Sequence, residues 1–207
     1  MQKGFLCVKI GIGIKQVKIN SILNGKNMHL CEGGKSGICE GGGMLFSNEV
    51  DKCFMNMAIK EARKAMAGGD VPIGCVIVDN ATCEVVAKAY NKKERGKDAT
   101  AHAEIICIRK ANKIMGDWRL ENCSLYVTLE PCPMCFGAIL SARVGRVVFG
   151  ASDEGAGFLG GFCDYSKHNM LNHSIEVVAD ILGEECRQLL RGFFRQRRAE
   201  NKAKRGS

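Results

Sequence analysis

From Glu49 onward the apolar residues follow two rhythms, and the switches between them outline a fold. Phe54, Met57, Ala58, Ala62 and Ala65 recur at helical spacing and predict an amphipathic helix ending at Gly68-Gly69. Residues 73–78 form an unbroken apolar, β-branched run, which reads as a buried strand. Asp79-Asn80 turns the chain, and residues 85–90 return as a second strand. Residues 91–98 are polar and charged and read as a loop. A helix is expected over 101–115, a strand over 124–128, and a helix over 133–142. Pro133 suits the first helical position, where its missing N–H has no intrahelical partner to lose. A strand over 146–149, a glycine-rich irregular stretch over 150–172, a strand over 175–179 and a long helix over 184–202 complete the chain. The order αββαβαβ(loop)βα predicts an α/β fold, a three-layer α/β/α sandwich with a central mixed five-stranded sheet.

Residues 1–43 do not share these rhythms. Six of the eleven residues from Gly33 to Gly43 are glycine. Gly34-Lys35-Ser36 resembles the end of a phosphate loop, but the earlier glycine that loop requires is replaced by His29. Gly11 and Gly13 lack the third glycine and following helix of a dinucleotide fingerprint. The composition predicts disorder here. A second expectation is that Glu40-Gly41-Gly42-Gly43-Met44 is a ribosome-binding site read in frame, so that Met44 is the native start. The chain therefore divides into an extension, 1–43, and one domain, 44–207.

Composition sharpens this division. The net charge of +8 separates into +4 for residues 1–43, −3 for 44–186 and +7 for 187–207, where Glu200 is the sole acid. A slightly acidic body with a basic terminal helix suggests a polyanionic partner. Twelve cysteines would suit a disulfide scaffold in a secreted protein. However, the opening apolar segment is broken by Lys9, Lys15 and Lys18, and no small-residue cleavage site follows. No apolar run approaches the roughly 18 residues of a membrane span. The expectation is a cytoplasmic protein with reduced thiols, most of them packing residues.

Two thiols stand apart. His102-Ala103-Glu104 and Pro131-Cys132-Pro133-Met134-Cys135 lie within one short stretch, each at an expected helix start. His102, Cys132 and Cys135 supply three zinc ligands, which leaves a fourth position open. Cys132 and Cys135, three apart, share one face of a first helical turn, where the helix dipole favours thiolate. Zinc in such a site makes water a nucleophile near neutral pH. Glu104, adjacent but not needed as a ligand, is then the expected general base. A structural zinc site would instead need a fourth ligand such as Cys107, Cys123 or Cys163, and would leave Glu104 unexplained. His168 and His173 fall in the irregular stretch and read as surface or capping residues. The reaction that fits is hydrolytic removal of an amine from a heterocycle, and H-x-E…P-C-x-x-C is the pattern of zinc nucleobase deaminases.

Residues 51–203 resemble the bacterial tRNA-specific adenosine deaminases of the cytidine deaminase-like superfamily. The resemblance rests on Val71-Pro72-Ile73-Gly74, on Asp98 to Ile105, on Leu125 to Cys135, on Gly145 to Ala151 and on Phe193-Phe194-Arg195-Gln196-Arg197-Arg198. It implies conversion of adenosine to inosine at the wobble position, 34, of a tRNA anticodon. It also implies a homodimer with one Zn²⁺ per subunit, acting on the tRNA anticodon stem-loop. Asn91, Ala103, Phe193, Arg197 and Arg198 match positions that meet the substrate. Two departures are visible: Ala99 replaces a usual proline, and residues 150–155 lack the usual basic groups. A deaminase of free purines such as guanine would share the zinc motif but has no need of a basic terminal helix. A non-catalytic RNA-binding subunit would have no need of Glu104.

Overall fold

The computed structural model describes residues 5–9, 14–18, 47–168 and 173–205. Five strands form the expected mixed sheet: β3 (Gly74–Asp79), β4 (Val85–Tyr90), β5 (Cys123–Leu129), β6 (Arg146–Ala151) and β7 (Glu176–Val178). Their order is β4-β3-β5-β6-β7, with β3 antiparallel to both β4 and β5, and β5, β6 and β7 mutually parallel. Helices α1 (Asn48–Ala67) and α5 (Gly183–Arg205) cover one face, while α3 (Ala103–Met115) and α4 (Pro133–Ser141) cover the other.

The unbroken apolar run of β3 follows from this layering. Its side chains alternate between two cores. Cys75 and Ile77 join Cys107, Ala111, Phe136 and Ile139 on the α3/α4 side. Val76 and Val78 join Phe54, Met55, Ala58 and Cys186 on the α1/α5 side. Gly74 is required where α1 crosses the sheet, since a Cβ there would run into the Ala58 carbonyl and the Ala62 amide. Ser47 caps α1 by accepting from the Val50 amide at 3.3 Å, and Glu49 and Asp51 favour the positive end of its dipole.

A buried polar tie joins α1 to the sheet. The Arg146 guanidinium donates to both Asp51 oxygens, at 2.8 and 2.9 Å, and the Tyr126 hydroxyl donates to Asp51 Oδ1 at 2.9 Å. Burial and the Asp51 carboxylate push the Tyr126 hydroxyl well above its ordinary range. Removing one partner of such a buried pair strands the other and costs about 3–5 kcal/mol.

Three local features differ from the sequence reading. The expected helix over 101–115 begins at Ala103, because His102 is extended (φ −70°, ψ 153°). The 91–98 stretch holds a short helix, α2 (Lys93–Gly96), because the buried Asp70 carboxylate accepts from the Glu94 amide at 2.7 Å and the Arg95 amide at 3.4 Å. The expected strand over 175–179 is reduced to the three residues of β7. In the N-terminal extension the sequence reading named no strand; β1 (Phe5–Lys9) and β2 (Ile14–Lys18) pair there as an antiparallel two-stranded sheet. The Gly33–Gly43 stretch and Met44 lie outside the described residues.

Candidate active site

Two helix starts meet beside the carboxyl end of β5. His102 occupies the N-cap position of α3 and Cys132 that of α4, yet neither side chain makes the usual capping hydrogen bond. Both are free to face each other. His102 Nδ1 lies 3.7 Å from Cys132 Sγ and 3.5 Å from Cys135 Sγ. The three donor atoms fall within 4.8 Å of one another, and they make the one such cluster among the described residues. A tetrahedral zinc with Zn–N and Zn–S bonds of about 2.0 and 2.3 Å requires ligand atoms roughly 3.5–3.8 Å apart. The donor set and its spacing fit zinc. The alternative fourth ligands lie outside the cluster; Cys107, for one, is turned toward the Cys75 carbonyl at 3.6 Å.

The electrostatics follow from these contacts. The Cys132 thiol is pulled down to about 4 by hydrogen bonds from Cys135 and His102, the first being the stronger influence. Cys135 moves upward, chiefly because its S–H donates to the Cys132 thiolate, and burial adds to this. His102 is raised by its bond to Cys132. Metal binding to two thiolates would release the remaining thiol proton.

Glu104 sits in the first turn of α3, 3% exposed, and its Oε2 has no hydrogen-bond partner. Burial raises its carboxyl above the ordinary value, partly offset by its own amide and by His102. A buried carboxylate oxygen with nothing to accept from is costly unless chemistry uses it. Glu104 Oε2 is such an oxygen.

The other expected site residues divide into two groups. Asn91 is buried at the end of β4, where Nδ2 donates to the Val71 carbonyl at 3.3 Å and Oδ1 accepts from the Lys93 amide at 3.4 Å. The next residue is tied to the α3 approach, since the Lys92 amide donates to the Ala101 carbonyl at 2.9 Å. Ala103 is fully buried between His102 and Glu104. The α5 residues are remote from this cluster in sequence and belong to a separate surface. Phe193, expected to meet RNA, is instead 5% exposed and packs inward; Phe194, at 44%, is the outward ring. The helical turn forces this choice, because adjacent residues point about 100° apart. Arg197 lies 5.9 Å from the Phe193 ring, and Arg198 is exposed without an ionic partner among the described residues.

Sequence reading missed one organising residue. Glu130 follows β5 and is 2% exposed. Its Oε2 accepts from the Asp153 amide at 2.9 Å, and its Oε1 accepts from the Leu159 amide at 2.7 Å and the Gly161 amide at 2.9 Å. Residues 153–161 of the irregular stretch are thus gathered onto the segment that carries Cys132. A Cβ at Gly157 or Gly161 would collide with that carboxylate, which is the signal the glycines carried.

Residues 48–151 match the cytidine and deoxycytidylate deaminase zinc-binding region. The tRNA-specific adenosine deaminase of Bacillus subtilis is 48% identical over 155 residues, covering 75% of this chain and 95% of that protein. That of Haemophilus influenzae is 44% identical, covering 75% of this chain and 89% of that protein. The chain belongs to the tRNA-specific adenosine deaminase family. A solved tRNA:A34 deaminase, studied for A-to-I editing at the wobble position, superposes with a TM-score of 0.63 at 38% identity, covering 66% of this chain and 98% of that one. The guanine deaminase of Nitrosomonas europaea shares the fold at a TM-score of 0.59 and 22% identity, covering 72% of this chain and 86% of that one. The matched region, 48–151, spans His102, Cys132 and Cys135, whose donor atoms form the cluster described above.

Proposed function

We propose that this protein hydrolyses adenosine to inosine at position 34 of a tRNA anticodon, releasing ammonia. The observation that carries the chemistry is the buried, unpartnered Glu104 oxygen beside three converging zinc donors. Zinc held by His102, Cys132 and Cys135, one ion per subunit, supplies Lewis acidity and lowers the pKa of water. Glu104 takes the proton from the attacking water and passes it to the ring nitrogen as the C6–O bond forms. The second water proton reaches the exocyclic amine by the same carboxylate, the C6–N bond breaks, and ammonia leaves. The buried setting of Glu104 excludes competing solvent from these transfers.

Substrate choice rests on other residues. Asn91, fixed by two backbone contacts, and the backbone at Ala103 border the target base. Arg197 and Arg198 meet phosphates, and Phe194, rather than Phe193, offers a ring to RNA. The protein works as a homodimer in the cytoplasm, where tRNA is found. Several large apolar side chains are exposed on or near the α3/α4 layer, including Ile114, Met115, Trp118 and Met134, and suit burial against a second copy.

The deciding assay incubates the protein with adenosine-34 tRNA, with guanine in parallel, and reads inosine and ammonia. Inosine from tRNA is expected. Ammonia from guanine alone would replace this function with free-purine deamination.

A further inference from the structure

A basic cluster borders the donor site. His102 and Cys132 are half-buried, so the site opens to solvent on their side. The segment entering α2 is tied to that opening, because the Lys92 amide donates to the Ala101 carbonyl at 2.9 Å. Residues 92–98 carry Lys92, Lys93, Arg95 and Lys97 against Glu94 and Asp98, a balance of +2. Residues 44–186 as a whole carry −3. The cluster is a positive spot on an acidic body.

Its four cations are not equivalent. Arg95 turns inward, with Nε donating to the buried Asp70 carboxylate at 3.2 Å and the guanidinium 5.2 Å from the Tyr90 ring centroid. Lys92 lies 5.1 Å from the same ring. Lys93 and Lys97 are exposed and have no ionic partner among the described residues. Of these two, Lys93 stands nearer the chemistry. Its amide donates to Asn91 Oδ1 at 3.4 Å. Its charge is also felt at His102, which is raised chiefly by its bond to Cys132 and opposed by burial and by Lys93. The backbone that presents Lys93 is fixed, since Asp70 accepts the Glu94 and Arg95 amides at 2.7 and 3.4 Å. A cation on an ordered backbone binds with less ordering cost.

We propose that Lys93 contacts a phosphate flanking the target adenosine. This deepens the tRNA reading and rests on it. A nucleotide that brings its base to the zinc donors carries a phosphate on each side of its sugar. An ammonium is a compact point charge suited to such a group. The 150–155 run carries no basic residue, and Lys93 supplies a cation from the other side of the site. The contact favours a nucleotide held in a chain over a free purine, which has no phosphate to offer.

The test is a coupling cycle on the full-length zinc protein. Anticodon stem-loops are compared with matched loops in which an uncharged methylphosphonate replaces the phosphate on the 5′ or the 3′ side of adenosine 34. The variants are Lys93→Gln and Lys93→Arg, with Lys97→Gln and Lys60→Gln as controls for charge elsewhere on the surface. Lys93→Gln should lower kcat/KM on the native loop by about 5- to 50-fold at low salt. It should lose little on the loop neutralised at one of the two positions, and Lys93→Arg should keep most of the activity. Neither control should distinguish native from neutral loops. Binding to a Glu104→Gln background, read by fluorescence anisotropy, should show the same coupling without turnover. An equal loss by Lys93→Gln on the native loop and on both neutral loops, or no loss on the native loop, would overturn the contact. So would coupling at Lys97 in place of Lys93. Coupling in the binding measurement with no inosine from the unsubstituted protein would instead remove the deaminase reading and leave the phosphate contact standing.

Discussion

Glu104 and Glu130 are two glutamates buried to the same degree, 3% and 2% exposed, on neighbouring segments. Their surroundings differ sharply. Glu130 receives three backbone amides from the loop it gathers, two on Oε1 and one on Oε2, so both its oxygens are engaged. Glu104 has an oxygen with no partner at all. Burial alone therefore does not separate a structural acid from a catalytic one. An oxygen left without a donor is the difference between them, and Glu104 Oε2 is that oxygen.

The largest effect should come from removing the unsatisfied acid. Glu104→Gln should lower kcat by about 10²–10⁴-fold while zinc content, read by elemental mass spectrometry, stays at the wild-type level. If metal is lost along with activity, Glu104 is a ligand and the contrast fails. Next in size is Asp51→Ala, which takes the bidentate partner from the buried Arg146, leaves it Glu176 on Nε, and should cost up to about 3–5 kcal/mol in denaturant unfolding. It probes a third buried acid, satisfied like Glu130 but by side chains. Glu130→Ala leaves three amides unpaired and should cost about 2–3 kcal/mol, with faster hydrogen exchange at Leu159 and Gly161 as the local signature. If exchange there is unchanged, water replaces the carboxylate and Glu130 is not what holds the loop. The smallest effect is Arg198→Ala, expected to reduce the slope of log affinity for tRNA against log salt by about 1 without changing zinc content.

The same contrast explains what could be read in advance. His102, Cys132 and Cys135 were legible because metal ligands have few residue types and short spacings, and both motifs begin helices. The sheet was legible because β3 and β6 are apolar over 74–78 and 147–151 and the helices keep their period. Glu130 was not legible. Its partners are main-chain amides 23 to 31 residues further on, and any residue but proline can supply an amide. The inward packing of Phe193 and the outward turn of Phe194 depend on the rotation of α5, which sequence leaves open by a residue. The start of α3 was placed two residues early for a related reason. Nothing in residues 101–102 forbids a helix, and only the extended backbone of His102 shows that its side chain is used elsewhere.

The Glu130 joint also bears on how a substrate enters. A loop anchored by three amides to the stem of α4 cannot swing as a lid without unseating the segment that carries Cys132. Under the proposed function, with residues 153–161 held beside Cys132, it is the polynucleotide that changes shape to reach the site. Under the proposed function, the anticodon loop bears the cost of admission, a few kcal/mol for an unstacked nucleotide. Selectivity then lies in how easily an RNA can present that nucleotide, and stiff or paired adenosines are refused at the door.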